Sequence, residues 1–277
     1  VSLIEGLKRT TDFSHAVAVG DFGADYQPLS QEDVLGKALL KMRDELGERE
    51  RVLESKVRER TEEMVRQKEE VERQSRRVVE LYKNVTDSIR YAKRLQESIL
   101  PTERRIKELL PESFVMFRPK DIVSGDFYWV EEVDGRILFA AVDCTGHGVP
   151  GAFMSLVGHN GLDQCAKERR LKHPSEVLSE LNRIAYDLLH KDRDQSVRDG
   201  MDMALCVLDP ERQELEYAGA NSPLYLVRDG QLHQFRADKR PIGGFEPDDQ
   251  PYTDHRIKLR KGDVVYIFSD GYADQFG

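Results

Sequence analysis

The chain has 277 residues and carries 42 Lys and Arg against 51 Asp and Glu, a net charge of −9. That balance argues against a general nucleic-acid binder, which needs a basic face to neutralise phosphates. No run approaches the ~20 apolar residues that span a bilayer, and the opening residues do not read as a signal peptide. Cys144, Cys165 and Cys206 lack CxxC spacing, so they are expected as reduced thiols of a cytoplasmic protein, not a disulfide or zinc framework.

In chain order, three regions are expected: 1–46, 47–100 and 101–277. Gly20-Asp21-Phe22 breaks a first helical stretch. The run Pro28-Leu29-Ser30-Gln31-Glu32-Asp33 then predicts a helix start, with Ser30 as cap and an acidic first turn. Residues 47–100 hold 14 basic and 12 acidic side chains, with no Pro and no Gly after Gly47, so nothing in them breaks a helix. Leu39, Met42, Leu46, Leu53, Val57, Met64, Val71, Val78, Leu81, Val85, Ala92, Leu95 and Ile99 fall at spacings built from steps of three and four. The same seam holds polar Glu50, Arg60, Gln67, Gln74 and Ser88. A sustained 3.5-residue period predicts a parallel coiled coil, hence a homodimer, with a weak middle that can shift register. The pattern of 1–46, a helix, G-D-F, a connector and E-D-V-L-G-x-A-L-x-x-M, resembles the second half of a HAMP linker. The resemblance implies an upstream membrane sensor, and membrane contact only through that segment.

Residues 101–277 hold most of the Gly and Pro and the only Trp. Strands are expected at 114–118, 127–133, 137–144, 201–208, 214–219, 224–228, 231–235, 253–259 and 263–268. Asp134-Gly135 and Asp229-Gly230 are two-residue hairpin signals. Helices are expected at 151–166 and 175–190. Strands, then two helices, then a meander with hairpin-length connections predict an α+β layered fold.

Four aspartates sit at or inside these strands among glycines and apolar residues: Ser124-Gly125-Asp126-Phe127, Val142-Asp143-Cys144-Thr145-Gly146, Gly200-Met201-Asp202-Met203 and Ser269-Asp270-Gly271. A carboxylate beside a core strand is costly unless a cation pairs with it. No Lys or Arg lies within these motifs, which points to divalent ions. An all-oxygen ligand set favours Mg2+ or Mn2+ over zinc.

The runs F-R-P-K-D-I-V-S-G-D-F-Y (117–128), V-D-C-T-G-H-G-V-P-G-A-F-M-S (142–155), G-M-D-M-A-L (200–205), Y-A-G-A-N-S-P-L-Y (217–225) and F-S-D-G-Y-A-D-Q-F-G (268–277) closely resemble the PPM family. This is a family of metal-dependent Ser/Thr protein phosphatases, and the likeness is to its SpoIIE/RsbU-like branch. The stretch Ser88 to Pro101 is similar to the helix that precedes the catalytic domain in that branch. The resemblance implies an α-β-β-α sandwich after a long coiled-coil helix, and a site with two Mn2+ or Mg2+ ions bridged by a water. Asp143 would bridge both ions, the Cys144 carbonyl and Asp270 would bind the first, and Asp126 would serve the second. Asp202 falls nearby with a looser role. Asp143 and Asp126 would thus carry the catalysis.

His147 does not match the position of the family's histidine, and Arg118 and Lys120 are expected mainly as surface ion-pair residues. The family's last metal-binding aspartate motif has no counterpart before Gly277, which implies a domain lacking its C-terminal end, with a weakened first metal site. The implied function is dephosphorylation of a regulatory protein, such as a STAS-domain anti-sigma-factor antagonist, at the inner face of the cell membrane under sensor control. The alternative is a pseudophosphatase serving as a dimeric binding module.

Overall fold

The computed structural model describes residues 3–190, 199–244 and 250–272. Two compact units divide the chain, Val1–Tyr82 and Lys83–Gly277.

In the first unit, α1 (Leu3–Ala18) stops at Gly20, whose φ of 91° is easy only for a residue without Cβ. A small core of Phe13, Val17 and Tyr26, with Leu39 and Leu40 against it, pins α1 to the start of α2 (Val34–Ile99). The cap of α2 is Asp33, not Ser30. One Asp33 oxygen accepts from the Gly36 N–H and the other from the Leu29 N–H, both at 2.8 Å. Ser30 instead accepts from Glu32 N–H within the preceding turn, at 3.2 Å. The two carboxylate oxygens of Asp33 thus satisfy one N–H of the first helical turn and one of the preceding connector. The Leu29 and Gly36 bonds hold the Asp33 carboxyl below its ordinary range. Along α2, the seam residues Leu53, Val57, Met64, Val71 and Val78 are exposed on the single chain. The seam alternates strictly from Glu50 onward, whereas Met42, Leu46 and Glu50 are two successive steps of four.

The second unit begins with the last turns of α2 and with α3 (Glu103–Leu109), capped by Thr102. Next come β1 (Phe127–Val133) and β2 (Arg136–Cys144), joined by Asp134 and Gly135, both at positive φ as a two-residue hairpin turn demands. Two helices follow, α4 (Gly148–Asp163), extended by one π-helical turn at Gln164–Glu168, and α5 (Pro174–Leu189). The remaining strands are β3 (Met201–Asp209), β4 (Glu214–Ala220), β5 (Leu224–Arg228), β6 (Gln231–Phe235), β7 (His255–Lys258) and β8 (Val264–Tyr266). They form an antiparallel five-stranded sheet, β1-β2-β3-β4-β7, and a three-stranded sheet, β6-β5-β8.

Strand parity sorts the core into two layers. Trp129, Leu138, Val142, Met203 and Leu205 face Leu162, Leu178 and Leu181 of the helices. Ala204, Cys206 and Tyr217 face Leu224 and Leu226 of the smaller sheet. Trp129 is 2% exposed, and its indole N–H donates to Asp163 at 2.9 Å. The described residues therefore supply a helix layer and two sheet layers, a mixed α+β architecture. The three cysteines are buried and free. No described helix is long and apolar enough to cross a membrane.

The strand expected at 114–118 does not form. Among the described residues no strand pairs with it, and Phe114 and Met116 are 74% and 66% exposed. An extended segment becomes a strand only when a neighbour takes up its N–H and C=O groups. The late strands are also shorter than the apolar runs that announced them. The last five residues of the 268–277 run lie outside the described residues.

Candidate metal centre

Register builds the site. Asp143 of β2 pairs with Asp202 of β3, and Phe127 of β1 pairs with Val142. Asp126, one residue before β1, therefore stands next to Asp143. Residues directly opposite in antiparallel strands point to the same face. That face is the one turned toward the smaller sheet, because Val142 and Met203, one position away, are buried under the helices. Three carboxylates thus form a row across one end of the five-stranded sheet. A fourth, Asp270, arrives from beyond β8 and opens a short 3-10 turn, Asp270–Tyr272.

The groups feel one another. Burial pushes the Asp143 carboxyl up to about 8, helped by the charge of Asp126 and by a hydrogen bond and charge from Asp270. Burial also raises Asp202, with the Asp270 charge adding to it, while a hydrogen bond from Asn221 opposes the rise. Ser269 Oγ donates to Asp126 Oδ2 at 2.6 Å, tying the Asp270 turn to the loop before β1.

Close backbone approach fixes that loop. A Cβ on Gly125 would lie 2.6 Å from the Gly146 carbonyl oxygen and 3.1 Å from that of Cys144. The Cys144 carbonyl is thereby brought beside the residue preceding Asp126, while its thiol is buried in the helix-side core. Thr145 joins the same end to β3: its N–H donates to Gly200 O at 2.9 Å and its Oγ1 accepts from Gly200 N at 3.1 Å.

His147 caps α4 without a side-chain cap bond, and its Nδ1 lies 2.8 Å from Asp121 Oδ2. Arg118 and Lys120 are exposed and pair with no described carboxylate, so the expected surface ion pairs are not formed among the described residues.

Residues 133–276 match the family described as stage II sporulation protein E. The chain belongs to the SpoIIE family. It is 31% identical to the SiaA PP2C domain of Pseudomonas aeruginosa, covering 70% of this chain and 74% of that one with a TM-score of 0.62. A more distant likeness is to the RsbU and RsbW domains of a Mycobacterium tuberculosis protein, at 22% identity, 57% and 42% coverage and a TM-score of 0.45. The PP2C phosphatase domain of SpoIIE from Bacillus subtilis gives 19% identity, 54% and 42% coverage and a TM-score of 0.44. No match is found among curated proteins.

The SpoIIE domain here offers hard oxygen donors, and burial, with the neighbouring charges of Asp126 and Asp270, disfavours the charged form of Asp143. Such a set fits a divalent cation, whose charge offsets both effects. Among the described residues no group of three or more His, Cys, Asp or Glu is already arranged as a ligand set. Three residues that touch this region had no role assigned from sequence. Asn221 and Ser269 lie inside the quoted runs, yet only the folded structure shows that they bond Asp202 and Asp126. Gln96 of α2, buried to 6% exposure, bonds both the N–H and the C=O of Ser124, two residues before Asp126.

Proposed function

We propose that this SpoIIE-family chain is a metal-dependent phosphatase that hydrolyses phosphoserine or phosphothreonine on a regulatory partner protein in bacterial signalling. The observation that carries this reading is the carboxylate row Asp126, Asp143 and Asp202, joined by Asp270 from beyond the second sheet. In this reading Asp143, Asp270, the Cys144 carbonyl and Asp126 would hold two Mn2+ or Mg2+ ions, Asp143 contributing to both, Asp270 and Cys144 to one and Asp126 to the other. Bound ions of this kind lower the proton affinity of a shared water and offset charge on the phosphoryl oxygens. The protein's own work is positioning: register aligns Asp143 with Asp202, Ser269 holds Asp126, and the glycine contacts bring the Cys144 carbonyl close.

Residues 1–46 are read as a HAMP-like segment, 47–100 as a parallel coiled-coil linker and 101–277 as the phosphatase domain. The linker carries the signal of an upstream membrane sensor to a homodimer. The partner is a phosphorylated switch protein such as a STAS-domain antagonist.

Asp143→Asn is expected to abolish Mn2+-dependent dephosphorylation while circular dichroism stays unchanged. Near-wild-type turnover by this variant sinks the assignment. The second reading, a dimeric binding module without catalysis, draws on the lack of a ready ligand set among the described residues. It is favoured if the wild-type protein fails to cleave p-nitrophenyl phosphate at saturating Mn2+.

A further inference from the structure

The carboxylate row does not end at Asp202. Met203 of β3 pairs with Ala220 of β4, so one step further the register sets Asn221 beside Asp202. The side-chain amide of Asn221 donates to Asp202 Oδ1 at 2.8 Å. Where the acceptor is a carboxylate, the NH2 group must be the end that faces it. We propose that Asn221 is a positioning residue for the metal centre, holding the Asp202 carboxylate in its working orientation without adding charge. The inference rests on reading Asp202 as part of that centre.

Two further observations carry it. First, Asn221 has φ of 57°, a left-handed conformation that few residues with a Cβ adopt and that asparagine tolerates best. Such an outlier persists only where its surroundings over-determine it. They do so here. The Asn221 N–H donates to Asp238 O at 2.8 Å, and the Asp238 N–H returns to Gly219 O at 3.0 Å. The Tyr217 hydroxyl donates to Ser222 O at 2.7 Å, and the Asp238 carboxylate accepts from both the N–H and the hydroxyl of Thr253. The turn is clamped on both sides of Asn221.

Second, the chemistry selects an amide. A Lys or Arg here would neutralise Asp202 and compete with a divalent ion for it. An aspartate would add repulsion to a carboxyl that burial and Asp270 already push up. An amide donates one directed bond and leaves the negative charge available, as groups that orient metal ligands do.

The test is Asn221→Gly. Glycine keeps the left-handed backbone and removes only the amide. Mn2+ binding is measured by calorimetry on the 277-residue chain, with thermal melting as the fold control. Asn221→Gly is expected to weaken Mn2+ binding by about tenfold or more, with little change in melting temperature. In an Asp202→Asn background the same substitution should have no further effect, because its target is gone. Asp143→Asn separates the two levels of inference. If it leaves Mn2+ binding intact, the metal-centre reading itself fails. If it removes binding while Asn221→Gly binds as tightly as wild type, the role of Asn221 is overturned. A loss of equal size in the Asp202→Asn background overturns it too, since Asn221 would then act on something else.

Discussion

At Gly151 an added methyl group would sit 2.5 Å from the Gly146 carbonyl oxygen and 2.9 Å from the Gly125 Cα. Both are backbone atoms with no rotamer to escape into. Gly151→Ala is therefore expected to cost about 1–3 kcal/mol, the usual range for overpacking, read from urea unfolding. Because the atoms it displaces lead into Asp126, turnover should fall further than the lost stability explains. A variant as active as wild type would show that the loop gives way harmlessly. A different residue-scale effect sits at the far end of the smaller sheet. Arg228 grips Asp263 with two hydrogen bonds of 2.9 and 2.6 Å and holds its carboxyl down at about 2. A carboxyl whose folded value lies below its unfolded value of about 3.9 stabilises above that pH, and the contribution is lost as pH falls toward 2. Between about pH 4 and pH 2, wild type should lose more stability than Asp263→Asn, as acid titration of the melting temperature would reveal. Residues of both kinds differ in how readily they can be read from the chain. Asp126, Asp143 and Asp270 announce themselves because each is followed by, or framed with, glycine and apolar strand residues. Asn221 and Ser269 do not, because what they touch lies 19 and 143 residues away.

The end of α2 is an element that reaches the site directly. Gln96 donates to the Ser124 carbonyl and to Ser155 Oγ, and accepts from the Ser124 N–H. Gln96→Ala would leave buried groups of Ser124 and Ser155 without these partners, at a cost of about 1–3 kcal/mol. Native-state hydrogen exchange should then show the Ser124 amide opening more readily, and unchanged protection would contradict this. Further up the helix, the exposed seam predicts that the chain sediments as a dimer at tens of micromolar; a monomer there would remove the coiled-coil reading. Among the strands, legibility followed locality. The hairpins at Asp134-Gly135 and Asp229-Gly230 carry their own turn chemistry, so β1, β2, β5 and β6 stand where they were expected. The 114–118 segment has the right composition for a strand but depends on a distant partner, which no local pattern encodes.

For the molecule as a whole, composition separated a charge-mixed helix from a Gly- and Pro-rich acidic part, because glycine and proline are excluded from long helices and needed at turns. The sheet order was another matter. That β7 joins the larger sheet beside β4, while β8 crosses to the smaller one beside β5, depends on long-range register. The same crossing delivers Asp270 to the row set by β1, β2 and β3, so the completed site was readable only as a set of separate parts. One buried side chain makes the core of the second unit separately observable. Trp129 is the only tryptophan in 277 residues, and it lies wholly within the Lys83–Gly277 unit, hydrogen-bonded to Asp163. Its emission reports the opening of that core alone. Far-ultraviolet circular dichroism, by contrast, is weighted toward the 66 residues of α2. Two optical signals, recorded on one sample during one temperature ramp, thus separate the opening of the Trp129 core from the melting of the helices of both units without labels or truncation.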